Sequence, residues 1–251
     1  MQVYLYSDEG VDAMALIHTR RSLEKIAPRA TLHFIQASHI IQGGWSPREG
    51  VFIMPGGADV PYCEKLQGAG NHQIHQFVER GGAYLGLCAG GYYGALSVAF
   101  DPGGPLEVLG ERELAFTRGE ARGPLLAPYV YGSYEGARVA RLSREGSEES
   151  LFSTYYNGGC WFTEDDQSQV FYRYENEDAR GRAAVVGGSW GQGRFILSGV
   201  HPEYDPVLLK EIASRPEAGG VPFLTSIAQA LEEDQSAFEV WAHFWEYLTG
   251  G

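Results

Sequence analysis

Gly86-Leu87-Cys88-Ala89-Gly90 constrains this chain more than any other stretch, because of what stands on either side of it. The apolar run Gly82-Ala83-Tyr84-Leu85-Gly86-Leu87 leads in, and a small-residue segment from Ala89 to Leu96 leads out. The pattern predicts a buried strand, a sharp turn and the start of a helix: a nucleophile elbow with sulfur in place of a serine oxygen. Such a turn holds its nucleophile in strained backbone, and glycines two residues away on each side let strand and helix approach closely. A helix opening at Cys88 also sets the positive end of its dipole at the sulfur, which favours thiolate over thiol.

The first hundred residues alternate strand and helix signals around that elbow. Val3 to Tyr6 and Thr31 to Ile35 read as strands, and Val51 to Met54 as a short apolar strand ending at Pro55-Gly56-Gly57. Gly10 to Ile26 reads as an amphipathic helix with Val11, Met14, Ala15, Ile17 and Leu23 on one face, and a second helix is expected through Ile74 to Glu79. This alternation implies βαβ units and a parallel sheet, with functional residues at the carboxyl ends of the strands. From about residue 105 to 200 the character changes to short β segments: Gly136 to Leu142, Val170 to Tyr174, Ala183 to Gly187 and Arg194 to Ser198. These predict antiparallel hairpins attached to the parallel sheet. The last portion reads as helices over Pro206 to Ala213, Val221 to Leu231 and Ala237 to Leu248, the last with Phe238, Trp241, Ala242, Trp245 and Leu248 on a core face. Neither repeats nor a linker interrupt the chain, so 1–251 reads as a single domain with 206–251 as a helical C-terminal extension.

A thiol nucleophile needs a base and a group that orients the base. His201-Pro202-Glu203 follows the strand Gly193 to Val200. Extended backbone through Pro202 would turn His201 and Glu203 to the same side, the imidazole to take the Cys88 proton and the carboxylate to fix its tautomer. Pro55-Gly56-Gly57 and the N–H of Ala89 are the candidate oxyanion donors. Tyr92 and Tyr93 after the elbow, and Tyr156 and Asn157 in the aromatic turn Tyr155-Tyr156-Asn157-Gly158-Gly159, are the candidate pocket residues. Glu9, at the end of the first strand, is the one carboxylate considered for the neighbourhood of the thiol. The glycine-rich Gly187 to Gly193 lacks the Lys-Ser/Thr and following helix of a phosphate-binding loop and reads as a β-turn.

Taken in chain order, Pro55-Gly56-Gly57, Gly86-Leu87-Cys88-Ala89-Gly90 and His201-Pro202-Glu203 resemble class I glutamine amidotransferases. With Gly91-Tyr92-Tyr93-Gly94, Tyr156-Asn157-Gly158-Gly159 and Ser198-Gly199-Val200 added, the chain resembles more closely the N-terminal domain of eukaryotic-type biotin–protein ligases, over roughly residues 1 to 205. The resemblance implies a flavodoxin-like three-layer α/β/α sandwich with a mostly parallel central sheet, and by position Cys88, His201 and Glu203 as its catalytic triad. The amidotransferases usually follow the elbow with Gly-(His or Met)-Gln; here Tyr92 stands where that glutamine would, which separates this chain from glutamine as a substrate.

Composition closes several alternatives. A formal net charge of −13, from 32 acidic and 19 basic residues, is the wrong sign for nucleic acid. Acidic runs at Glu145 to Glu149, Glu164-Asp165-Asp166 and Glu232-Glu233-Asp234 read as solvated turns and helix ends rather than metal ligands. Three cysteines, an opening without signal-peptide character and no long apolar run predict a reducing cytoplasm and no membrane contact. The expected activity is a cofactor-free, metal-free Cys-His-Glu hydrolase of a small amide or acyl compound. The alternatives are a non-catalytic ligand-binding or regulatory module, which leaves room for a partner protein, and a redox-sensing thiol.

Overall fold

Strands read from alternation account for the centre of the molecule. The computed structural model describes residues 1–42, 45, 49–147, 150–214 and 222–250. Glu148 and Glu149 of one acidic run, and Val221 at the expected start of a helix, lie outside the described residues. In chain order the first half comprises β1 (Gln2–Tyr6), α1 (Ala13–Ile26), β2 (Thr31–Ile35), α2 (Ala37–Ile41), β3 (Val51–Met54), α3 (Asp59–Leu66), α4 (Ala69–Glu79), β4 (Ala83–Leu87) and α5 (Ala89–Gly94). β5 (Ser97–Phe100), β6 (Val108–Glu111), β7 (Glu120–Gly123), β8 (Arg138–Arg144), β9 (Leu151–Tyr156), β10 (Trp161–Phe162) and β11 (Gln169–Tyr174) follow. β12 (Ala183–Trp190), β13 (Gly193–Ser198), α6 (Pro206–Ala213), α7 (Pro222–Asp234) and α8 (Ser236–Thr249) complete the chain.

One sheet runs in the order β2-β1-β3-β4-β13-β12-β10-β7-β5-β6. β2, β1, β3, β4 and β13 are mutually parallel, so their carboxyl ends share one edge. β12 turns the sheet antiparallel, and β8, β9 and β11 branch from it as hairpins. Gly187 and Gly188 lie within β12, and the β12–β13 hairpin turns at Gly191-Gln192, so this glycine-rich stretch is strand and turn. The fold is a flavodoxin-like α/β sandwich.

Side chains alternate across the parallel strands and so build two cores. Tyr6, Phe52, Met54 and Tyr84 face one side, packed with Ile40, Ile74, Phe77 and Val78 from α2 and α4. Val3, Leu5, Val51, Ile53 and Leu85 face the other, packed with Leu23 of α1 and with Val240, Trp241, Phe244 and Leu248 of α8. The last helix is thus a wall of the sandwich. Its buried face runs through Ala237, Val240, Trp241, Phe244 and Leu248, which corrects the expected one: Phe238 is half-exposed, a rotation of the stripe about the helix axis. The region expected as one helix through Ile74 is two, α3 and α4, broken where Gly68 takes a left-handed φ of 69°. Among the described residues no helix is long and apolar enough to cross a membrane.

Candidate active site

β4 delivers Cys88 to the edge of the sheet with φ 50° and ψ −104°, backbone that a non-glycine residue adopts only when its surroundings hold it there. Those surroundings are tight. Cys88 N–H donates to the Ser198 carbonyl at 2.8 Å, and Gly90 N–H to the Pro55 carbonyl at 3.2 Å. A Cβ on Gly90 would stand 2.0 Å from the Met54 carbonyl oxygen. Gly90→Ala therefore forces backbone apart in the middle of the parallel sheet. Its expected cost is about 1–3 kcal/mol or more, and a chain of this size shifts its Tm by roughly 2–4 °C per kcal/mol. A melting curve matching the wild type would refute this packing account.

His201 leaves β13 by another route than strand alternation. Its N–H donates to the Tyr155 carbonyl at 2.9 Å as part of an isolated bridge, and the chain then turns at Pro202-Glu203 instead of staying extended. The turn, held by tertiary contacts, brings Glu203 back under the ring. His201 Nδ1–H donates to Glu203 Oε1 at 2.7 Å, with both side chains buried. Among the described residues Glu203 Oε2 has no hydrogen-bond partner, so His201 is the answer to that carboxylate's charge. Burial works against an imidazolium here. The Glu203 carboxylate, hydrogen-bonded to the ring, and negative charge at the neighbouring Cys88 sulfur outweigh it and raise the His201 pKa to about 10.

The segment after His201 is gripped from α1. Ser22 Oγ donates to the Glu203 carbonyl, and Asp205 N–H donates to His18 Nδ1 at 2.9 Å. Arg21 and Lys25 pair with the Asp205 carboxylate, which caps α6 by accepting from Leu208 N–H. His18 is fully buried, and burial lowers its pKa to about 3, so it serves as a neutral acceptor. Tyr204 lies between His18 and Tyr155 in a three-ring stack, at centroid distances of 4.0 and 4.1 Å. The His201 ring packs 4.8 Å from Tyr204. His201 is thus fixed by a carboxylate below and an aromatic wall beside it.

Cys88, His201, Gly56, Gly57, Ala89, Tyr92 and Asn157 open on one cavity of about 750 Å³. The Cys88 sulfur approaches the Asn157 carbonyl at 3.9 Å. The Pro55-Gly56-Gly57 turn is pinned by Asp12 N–H to the Gly56 carbonyl at 3.0 Å and by Ala58 N–H to the Gly10 carbonyl at 2.8 Å. Gly57 sits at φ 149°, where a Cβ would come within 2.0 Å of the Gly10 carbonyl oxygen. The bonds that pin this turn do not use Gly57 N–H. Ala89 N–H is the first of α5 and has no acceptor within that helix.

Two expected pocket residues do not line the cavity. Tyr93 is fully buried, its hydroxyl donating to Asn71 Oδ1. Tyr156 is fully buried too; its hydroxyl accepts from Leu125 and Leu126 N–H at 2.8 and 2.9 Å and donates to the Gly159 carbonyl at 2.8 Å. Strand alternation explains Tyr156: Tyr155, next to it on β9, takes the cavity side. Glu203 stands behind His201 rather than in the cavity wall. Glu9 is exposed and paired with Lys65 at 3.0 Å, and the carboxylate that reaches the cavity from the first strand's end is Asp12. Asp12 was legible as the N-cap of α1, but its direction was not. Phe100, Tyr129, Tyr131, Tyr134 and Tyr204 add to the aromatic lining, and no sequence motif marks them. Cys63 is half-buried, its pKa pushed up by burial to about 11, and Cys160 is fully buried, its thiol pushed well above the usual range by the same cause.

Known proteins resemble this one at both levels. In the solved structure of a glutamine amidotransferase, 80% of this chain superposes on 90% of that chain with a TM-score of 0.50 and 18% identity. The PurLQS structure from Thermotoga maritima covers 97% of this chain with a TM-score of 0.54 and 15% identity. At such identities the likeness is one of fold. In sequence, a biotin–protein ligase of Schizosaccharomyces pombe is 34% identical over 238 residues, 92% of this chain and 38% of the ligase. This chain therefore spans well under half the length of that relative. An uncharacterised protein of Chlamydia muridarum is 35% identical over 212 residues, 82% of this chain and 81% of its own length. The family described as biotin-protein ligase, N terminal, matches residues 1–243. On these grounds the chain belongs to the biotin–protein ligase N-terminal family, built on the glutamine amidotransferase-like fold.

Proposed function

We propose that the protein is a cysteine hydrolase of a small amide or acyl compound, working through Cys88, His201 and Glu203. The observation that carries this reading is the buried 2.7 Å His201–Glu203 bond, set beside an elbow cysteine at the wall of one cavity. The Cys88 thiolate attacks the substrate carbonyl, and its oxygen takes negative charge between the N–H groups of Gly57 and Ala89. His201 then passes its Nε2 proton to the leaving amine, while Glu203 keeps Nδ1 protonated and the ring in place. Water, deprotonated by His201, attacks the thioester and frees Cys88.

The test is turnover of a panel of small amides and esters, followed by trapping of the acyl-enzyme. Cys88→Ser should abolish the acylated-cysteine mass and lower turnover by at least about 10³-fold. Turnover unaffected by Cys88→Ser would end the proposal. A second reading, a ligand-binding module without turnover, draws on Tyr92. Its hydroxyl is committed to the Gly158 carbonyl at 3.1 Å, so it cannot present the amide group that glutamine enzymes carry there. Ligand-induced thermal stabilisation with no acyl-enzyme on any substrate would favour that reading.

A further inference from the structure

The cavity beside Cys88 is acidic and aromatic. Among its described lining residues it carries Asp12 and Asp59 and neither lysine nor arginine. Asp59 opens α3 and is answered from outside the lining by Arg112, with contacts of 2.8 Å from Nε and Nη2. Among the described residues Asp12 has no ion-pair partner, and its Oδ1 accepts instead from Met14 and Ala15 N–H at 2.9 and 2.8 Å. Those two bonds matter for selectivity. The N-terminus of a fourteen-residue helix is a natural seat for a substrate carboxylate, and here Asp12 already fills it. Phe100 and Tyr129 add aromatic surface of the kind that receives an apolar body and, over a ring face, a cation. After burial, the charge of Asp12 contributes to raising the pKa values of Tyr129 and Tyr155, so its field reaches the wall of the cavity.

We infer that this cavity takes substrates whose non-reacting part carries a protonated amine on an apolar or aromatic body, and that it discriminates against carboxylates. The inference deepens the proposed hydrolase reading by naming its substrate class. A free amino acid such as glutamine brings a carboxylate for which the described lining offers no cation but His201, whose charge is already matched by Glu203 at 2.7 Å. An amide or ester of a cationic, aromatic alcohol or amine meets Asp12 and the aromatic surface together.

Three probes of one shape and different charge test this: phenethylamine, 3-phenylpropionamide and 3-phenylpropionate. Their dissociation constants are read at low salt by thermal shift of the Cys88→Ser protein, so the result does not depend on thiol reactivity. The amine should bind at least about tenfold more tightly than the carboxylate, the size expected of one partly screened charge pair taken with opposite signs. The neutral amide should fall between them. Asp12→Asn keeps a side chain that caps helices well and should shrink the preference to within about threefold. Equal or tighter binding of the carboxylate, an undiminished preference in Asp12→Asn, or no shift with any probe would overturn the inference. A preserved charge order in a protein whose Cys88 proves inert would instead sink the hydrolase reading alone.

Discussion

His201→Ala is expected to slow alkylation of Cys88 by iodoacetamide at pH 7 by about 10²-fold. In the wild type the imidazolium stays charged to about pH 10, so it faces the sulfur as a cation throughout the neutral range. Without it, the sulfur keeps its buried place at the start of α5 but loses the adjacent cation and proton acceptor. A positioned acid–base partner of this kind is typically worth about 10²–10⁴-fold in rate, and the lower end is expected for a small, reactive alkylating agent. Mass spectrometry of timed alkylation, with Cys63 as the internal reference, reads the ratio directly. A change within threefold would mean that His201 does not activate the thiol.

The residues in that argument differ in how openly the sequence announced them. Cys88, Gly90 and the His201-Pro202-Glu203 group stand in local patterns, because an elbow and a strand end are built from contiguous residues. The strands Thr31–Ile35 and Val51–Met54 were legible to the residue for the same reason. What local pattern cannot carry is a contact across the chain. Lys25 and Asp205 are 180 residues apart, yet their pairing, with the Ser22 and His18 bonds, sets the turn that aims Glu203 at the imidazole. The sequence brought His201 and Glu203 together through extended geometry that the protein does not use. Tyr155 and Tyr156 make the same point in one dipeptide. Adjacent on β9, they point to opposite sides, and only the sheet register decides which one meets the cavity. Short elements such as β10, two residues long, exist through pairing with β7 and β12 and have no periodicity of their own to read.

The same His201→Ala change should also lower stability by about 3–5 kcal/mol at neutral pH, a Tm drop on the order of 10 °C for a chain of this length. The cause is the partner left behind. Glu203 is fully buried and its second oxygen is already without a hydrogen bond, so losing His201 strands a carboxylate with no counter-charge. In the wild type His201, raised from 6.5 to about 10, contributes stability that is complete below about pH 6.5 and is lost as pH passes 10. The gap between the two proteins should therefore be full below about pH 6.5 and should narrow as pH rises toward 10. Adding Glu203→Gln to His201→Ala removes the stranded charge and should recover most of the lost stability without restoring Cys88 reactivity. That pairing separates the two roles of His201, since a double variant that is stable but slow cannot owe its slowness to unfolding. If Glu203→Gln fails to raise the melting temperature of His201→Ala at pH 7, the carboxylate is not the charge that His201 balances.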